Sequence, residues 1–222
     1  MTAKNTESNT VELTPLDFDC AAKLLATAFY DNPLHIYLFP NPTNRSKALY
    51  WMLSSNLNIN LNSQNIGQSF ALVEPNYPPG RRQIRAMAFW NPPNSDNISL
   101  LSMVKEGLLT MPLRFAWGSL SRLFEVMEEI SAAKKQALND TPAWYLNNMV
   151  VAPELRGTGV GTKILDEQLK QVVEPSGFPA ILVTQREANV RFYQRLGFAV
   201  ASESIIGKGK NTFINWCLIR KS

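Results

Sequence analysis

Residues that build disulfides and metal sites are scarce in this sequence. It contains two cysteines, Cys20 and Cys217, which stand far apart without a CxxC spacing, and one histidine, His35. We therefore expect neither a disulfide framework nor a zinc site, and we predict no bound metal. Two isolated thiols are typical of a reducing compartment, so we expect a cytoplasmic protein.

Long apolar runs and runs of one charge are also lacking. No stretch of about 18 apolar residues could span a bilayer, and residues 1–10 are polar without the apolar core of a signal peptide. We predict a disordered segment over 1–10 and no membrane partner. The 22 basic residues give a net charge of +4 but are scattered, so we expect no nucleic-acid partner, although an anionic ligand fits this charge.

No internal repeat or Gly/Ser linker divides the 222 residues, so we predict one domain over 11–222. Helical spacing predicts a helix after Thr14, a second helix capped by Asn44, and a helical block over 98–140 that is interrupted at Met111 and Pro112. Alternating or apolar segments predict strands at 11–13, 68–74, 84–90, 144–151, 180–183, 198–202 and 212–219. This mixture indicates an α/β domain.

The glycine-rich run from Arg156 to Gly161, RGTGVG, is the strongest functional motif. It follows a predicted strand and opens a predicted helix, an order that builds an anion site from unpaired N–H groups at the helix N-terminus. A tight strand-to-helix turn without a ligand is the alternative. The spacing GxGxG is not the GxGxxG of dinucleotide-binding folds, and Gly161-Thr162-Lys163 lacks the GK[ST] order of a P-loop.

Two linked segments resemble a known family. The arrangement V-x-P-x-x-R-G-x-G-x-G from Val151 to Gly161 resembles the acetyl-CoA pyrophosphate loop of GNAT acetyltransferases, whose pattern is Gln/Arg-x-x-Gly-x-Gly/Ala. The segment from Asn189 to Phe198 is similar to the family's Asn…Phe-Tyr…Gly-Phe segment. Weaker similarity at 28–33, 88–93 and 216–221 is most like the puromycin N-acetyltransferase branch, which acts on small molecules.

The resemblance implies a single-domain GNAT-like acyl-CoA N-acyltransferase fold of α+β type, with a mixed, mostly antiparallel sheet flanked by helices. It implies acetyl-CoA as cofactor and a strand at 144–151 that splays from the strand at 180–183, with a helical insertion over 98–140 covering the acceptor site. The implied cofactor-binding residues are Met149, Val150, Val151, Arg156, Gly157, Thr158, Gly159, Val160, Gly161, Thr162, Asn189, Phe192 and Tyr193.

The resemblance also implies catalytic roles. The main-chain N–H near Met149 would stabilise the developing oxyanion, and Tyr193 would donate a proton to the departing thiolate. The general base stays open between Glu74, Asp31 and His35, of which Glu74 is taken as the catalytic candidate. An acceptor pocket would be lined by Phe29, Asp31, Tyr37, Trp90 and Trp144, for which core packing is the alternative.

The function that we predict is transfer of acetyl to the amine of a small molecule by direct attack in a ternary complex. A protein lysine or N-terminal acetyltransferase and a CoA-sensing protein without turnover are the alternatives. The hydrophobic helical block favours a small-molecule acceptor. We expect a monomer or a homodimer.

Overall fold

The computed structural model describes residues 9–62, 68–74, 77–95, 100–115 and 117–221. Its strands are β1 (Asn9–Glu12), β2 (Gln68–Val73), β3 (Ile84–Asn91), β4 (Trp144–Val151), β5 (Ala180–Thr184), β6 (Ala199–Lys208) and β7 (Asn211–Arg220). Its helices are α1 (Phe18–Ala28), α2 (Pro33–Leu38), α3 (Pro42–Asn62), α4 (Leu100–Lys105), α5 (Met111–Arg114), α6 (Ser119–Leu138), α7 (Val160–Gln168), α8 (Glu174–Ser176) and α9 (Glu187–Gln194). The disorder predicted over 1–10 falls on residues 1–8, outside this description, and on Asn9 and Thr10, which begin β1.

The strands form one sheet in the order β1-β2-β3-β4-β5-β7-β6. Neighbouring strands are antiparallel except β4 and β5, which are parallel. Helices α1 to α6 pack against one face, and α7 and α9 pack against the other. The predicted mixed, mostly antiparallel sheet flanked by helices is therefore confirmed. None of the helices in the described ranges is long and apolar enough to cross a bilayer.

Two details of the helical predictions are wrong. Asn44 does not cap α3, because the helix begins at Pro42 and the side chain of Asn41 accepts the N–H of Thr43 (3.0 Å). Pro112 does not interrupt the block over 98–140, because it lies in the first turn of α5, where proline fits. The chain instead turns at Gly107 and Gly118, whose φ angles of 74° and 82° favour glycine.

A β-bulge in β4 decides which side chains reach which face of the sheet. Phe89 in β3 pairs with Asn148, whereas Trp90 pairs with Leu146, so Asn147 is the extra residue. Trp144 and Leu146 pack in the apolar cluster on the α7 side, and Val150 packs in the cluster on the α1 side. The bulge therefore shifts the alternation of β4 by one residue.

Candidate active site

Strands β4 and β5 separate halfway along β4. Their parallel pairing runs from Trp144 with Ala180 to Leu146 with Leu182 and stops there. Beyond that point β4 continues beside β3, and β5 continues beside β7. The result is a V-shaped opening in the middle of the sheet, which begins at the bulged Asn147.

The main chain of β4 faces this opening at two positions that are not bonded to β3. The N–H of Ala152 donates to the carbonyl of Arg85 in the neighbouring chain segment (2.8 Å). Because hydrogen-bonded and non-hydrogen-bonded pairs alternate in an antiparallel ladder, Val150 is also bonded to β3, whereas Met149 and Val151 point away from it. The N–H and C=O groups of Met149 and Val151 are therefore directed into the opening.

The glycine-rich run presents a set of main-chain donors. Within the described part of the chain, no group accepts the N–H of Gly157, Gly159, Val160, Gly161 or Thr162. Gly159 caps α7 with a φ of 86°, and Gly157 has a φ of 78°. A Cβ built at either glycine would meet no atom within 4 Å. The loop thus forms a concave, positively polarised surface at the helix N-terminus.

This surface is the floor of a cleft of about 510 Å³ on the α9 side of the opening. Three arginines line the cleft, Arg156, Arg186 and Arg195, and no aspartate or glutamate does so among the described residues. The guanidinium of Arg186 donates a hydrogen bond to the main-chain carbonyl of Asp31 (2.6 Å). We call this space the donor cleft. Its unpaired N–H groups, open glycine positions and arginines fit the phosphates of a nucleotide cofactor such as acetyl-CoA.

A second cavity of about 240 Å³ lies under the helices of the α1 side, and we call it the acceptor cavity. Its walls come from α2, α3, the bulged part of β4 and the helical block, which contributes Met103, Leu108, Leu123, Val126, Met127 and Ile130. Five residues line both spaces, so the two spaces meet: Phe29, Asn32, Met149, Asn189 and Tyr193.

Solved acetyltransferase structures have the same fold. One is the Corynebacterium glutamicum structure named histone acetyltransferase HPA2 and related acetyltransferase (TM-score 0.62, 17% identity, 97% of each chain covered). Another is arylalkylamine N-acetyltransferase 2 from Aedes aegypti (0.61, 12%, 97% of this chain and 99% of that chain). A third is an agmatine N-acetyltransferase (0.62, 13%, 97% and 100%). At these identities the likeness establishes the fold.

The decisive observation is that residues 123–200 match the family model of the acetyltransferase (GNAT) domain. The chain has the fold of these acetyltransferases, and its residues 123–200 are similar to the GNAT acetyltransferase domain. The matched residues include β4, the glycine-rich run and α9, which are the elements around the donor cleft. The family match and the fold of the GNAT domain together indicate an acetyl-CoA-dependent acetyltransferase. Similarity to the puromycin branch stays a prediction.

The predicted cofactor residues of the GNAT domain lie together. All of them line the donor cleft except Thr158 and Val160. The hydroxyl of Thr158 donates a hydrogen bond to the carbonyl of Leu155 (2.7 Å). Arg156 reaches the carbonyl of Val151 through Nε (3.3 Å) and thereby ties the loop to β4. The two arginines from the α9 region, Arg186 and Arg195, were not predicted, although Arg195 lies within the Asn189 to Phe198 segment.

Tyr193 stands where the donor cleft meets the acceptor cavity. Its ring contacts Phe192 and Phe198 edge-on, with centroids 5.0 and 5.9 Å away. No described residue makes a hydrogen bond to its hydroxyl, and burial is the main cause that raises its pKa, so the phenol keeps its proton at neutral pH. Asn189 beside it donates to the hydroxyl of Thr184 (3.0 Å).

His35, one of the three candidates for the general base, lines the acceptor cavity. It is 8% exposed, stacks on Phe29 with centroids 5.1 Å apart, and its Nδ1 has no partner among the described residues. Burial lowers the pKa of His35 to about 3. The imidazole is therefore neutral at physiological pH.

The other base candidates lie elsewhere. Glu74 lines neither space and pairs with Arg85 (3.6 Å), which also pairs with Glu154. The side chain of Asp31 is exposed and lines neither space. We therefore assign Glu74 to a surface ion pair. Asp31 instead anchors Arg186 of the donor cleft through its main-chain carbonyl.

Three predicted acceptor residues also lie outside the acceptor cavity, whereas Phe29 lines it. Trp90 is fully buried on the α7 side, where its Nε1 donates to Gln168 (2.7 Å). Trp144 packs in the same cluster and donates to Ser176 (2.9 Å). The hydroxyl of Tyr37 donates to Glu125 (2.7 Å). Both tryptophans pack in the apolar cluster on the α7 side of the sheet, so we assign them to core packing.

Proposed function

We propose that this protein is an N-acetyltransferase of a small-molecule amine. The observation that carries the proposal is the meeting of the donor cleft and the acceptor cavity at Met149, Asn189 and Tyr193. The acceptor cavity of about 240 Å³ has room for about eight water-sized groups, at about 30 Å³ each. A compact molecule suits this space better than a peptide, which would need an extended groove.

The donor cleft has the residues to hold acetyl-CoA. The unpaired N–H groups of the loop and the three arginines would bind its phosphates. Met149 and Val151 would pair with an extended chain through main-chain groups, as an added strand does. When bound, acetyl-CoA supplies an acetyl thioester, from which transfer to an amine forms a C–N bond, breaks a C–S bond and moves one proton from nitrogen to sulfur.

Two groups of the chain would serve this transfer. The N–H of Met149 points into the opening, where it could stabilise negative charge on a carbonyl oxygen, which is worth about 3 kcal/mol for one well-placed donor. Tyr193 keeps its proton and has a hydroxyl without a partner in the described structure, so it could deliver that proton to the departing sulfur. The helical block over 98–140 would cover the acceptor, supported by its six residues in the cavity wall.

The protein-acetyltransferase alternative and the CoA-sensing alternative make different predictions. Isothermal titration with CoA, followed by thiol-release assays over a panel of amines and lysine peptides, separates them. We expect CoA binding, and thiol release with small amines but not with peptides. Absence of CoA binding would refute the proposal, release with peptides alone would favour a protein acceptor, and binding without any release would favour a sensor.

The role of Tyr193 has its own test. A Tyr193→Phe variant should lower kcat by about 100-fold or more, the usual size of a general-acid contribution, while the Kd for CoA stays within about threefold. Tyr77→Phe is the matched control, because Tyr77 is 46% exposed and lines neither space. Full kcat with an unchanged pH profile in Tyr193→Phe would remove the assignment.

A further inference from the structure

The donor cleft and the acceptor cavity differ sharply in charge. Three arginines line the donor cleft. In the described part of the chain, no aspartate, glutamate, lysine or arginine lines the acceptor cavity, whose polar wall consists of amides, Thr184, two tyrosines and His35. The acceptor cavity therefore offers hydrogen bonds but no opposite charge to an ammonium group.

Two carboxylates of the helical block have partners outside the cavity. Glu125 accepts the hydroxyl of Tyr37 (2.7 Å), and Glu106 accepts the amide of Asn58 (3.4 Å). On the wall itself, Tyr145 has the ammonium of Lys134 above its ring, 4.0 Å from the centroid. A positive charge next to the wall disfavours a second cation in the cavity.

The titratable groups in the wall are neutral at physiological pH. Burial lowers the pKa of His35 and raises the pKa of Tyr145 and Tyr193. His35 therefore adds no charge to the cavity wall. The amides of Asn56 and Asn148 are joined by a long hydrogen bond (3.4 Å), and no described group accepts from Nδ2 of Asn56.

These observations set a condition on the acceptor, if the protein is the N-acetyltransferase proposed above. Moving an unpaired ammonium ion from water into such a cavity is strongly unfavourable, so an amine enters as its uncharged form. An alkylamine with a pKa near 10.4 is uncharged in about one molecule in 2,500 at pH 7. We propose that the acceptor cavity takes amines that are uncharged at neutral pH, aromatic amines in particular, in preference to alkylammonium ions.

The test uses two isomers, p-toluidine and benzylamine, which have the same atoms but differ in the charge of their nitrogen at pH 7. Binding to the CoA-saturated protein is measured by isothermal titration, because binding does not depend on the intrinsic reactivity of the two amines. We expect p-toluidine to bind at least about 100-fold more tightly at pH 7, and the ratio to shrink as the pH rises and benzylamine loses its proton.

A designed variant tests the cause. Asn56→Asp keeps the oxygen that accepts from Asn148 and replaces the unused Nδ2 by a carboxylate oxygen, so it should strengthen benzylamine binding about tenfold or more without improving p-toluidine binding. Gln136→Glu is the matched control, because it adds the same charge at an exposed position of α6 outside both spaces. Thermal unfolding of each variant shows whether it is folded.

The outcomes separate this inference from the proposed function. Tighter binding of benzylamine than p-toluidine to the CoA-bound wild-type protein at pH 7 would overturn the inference, even if Asn56→Asp does not fold. A benzylamine gain in Gln136→Glu equal to that in Asn56→Asp would also overturn it. No CoA binding and no thiol release with any amine would instead remove the proposed function.

Discussion

The buried imidazole of His35 should make the stability of this protein depend on pH in a measurable way. Burial lowers the pKa of His35 to about 3 in the folded protein, where its ring stacks on Phe29. An unfolded chain has a histidine pKa near 6.5. Between these two values the unfolded chain binds a proton that the folded chain does not, so stability is lost as the pH falls.

The size of the effect follows from that difference. Each pH unit below about 6.5 removes roughly 1.4 kcal/mol from the free energy of unfolding, until the folded pKa is reached. Between pH 7.5 and 5.0 the loss is therefore about 2 kcal/mol from this residue alone. This window stays above the range in which most carboxylates titrate.

The assay compares urea unfolding of the wild type and a His35→Gln variant at pH 7.5, 6.5, 5.5 and 5.0. The difference in unfolding free energy between the two proteins should change by about 2 kcal/mol across the series, in favour of the variant at low pH. Other titrating groups are common to both proteins and cancel. Parallel curves would show that His35 titrates normally in the folded state and would refute this reasoning.

Three further substitutions test separate parts of the structure. Gly159→Ala should lower the unfolding free energy by about 1–2 kcal/mol in urea titrations, because a φ of 86° is strained for any residue with a Cβ. Arg195→Gln should weaken CoA binding by about three- to tenfold and flatten its salt dependence in calorimetry, since a charge of the donor cleft is removed. Trp90→Phe should lower the unfolding free energy by about 1–3 kcal/mol, because the buried side chain of Gln168 loses the hydrogen bond that it accepts from Trp90. The KM for the acceptor should stay unchanged.

The strands and the donor cleft could be predicted because both depend on short stretches of chain. Alternation and turn residues placed all seven strands to within a few residues, apart from the longer β6. The donor cleft is built largely from two short segments, 149–151 and 156–162. The glycines of the second segment indicate a tight turn, because glycine adopts a positive φ without strain. Sheet order is not contained in periodicity, and the family resemblance implied only a mixed, mostly antiparallel sheet in which the strand at 144–151 splays from the strand at 180–183.

The acceptor cavity could not be predicted in the same way, because its residues come from seven separate helices and strands and from the segments between them. In the sequence, Asn56 cannot be distinguished from a solvent-exposed asparagine of a helix. Only the packing of α3 against β4 brings it next to Asn148. The aromatic predictions failed for a related reason. The face of the sheet that Trp90 and Trp144 occupy is decided by the packing of α7 against it, which the local sequence around each tryptophan does not show.

The donor cleft and the acceptor cavity should respond differently to substitutions. In the proposed function, much of the donor cleft acts through main-chain groups, which substitutions leave in place, whereas the acceptor would meet side chains such as Asn56 and His35, which a substitution replaces. Asn56 does not line the donor cleft, so Asn56→Asp should alter amine preference while the Kd for CoA stays within about twofold. A change in both affinities together would mean that the two spaces are coupled through the five residues that they share, and not merely adjacent.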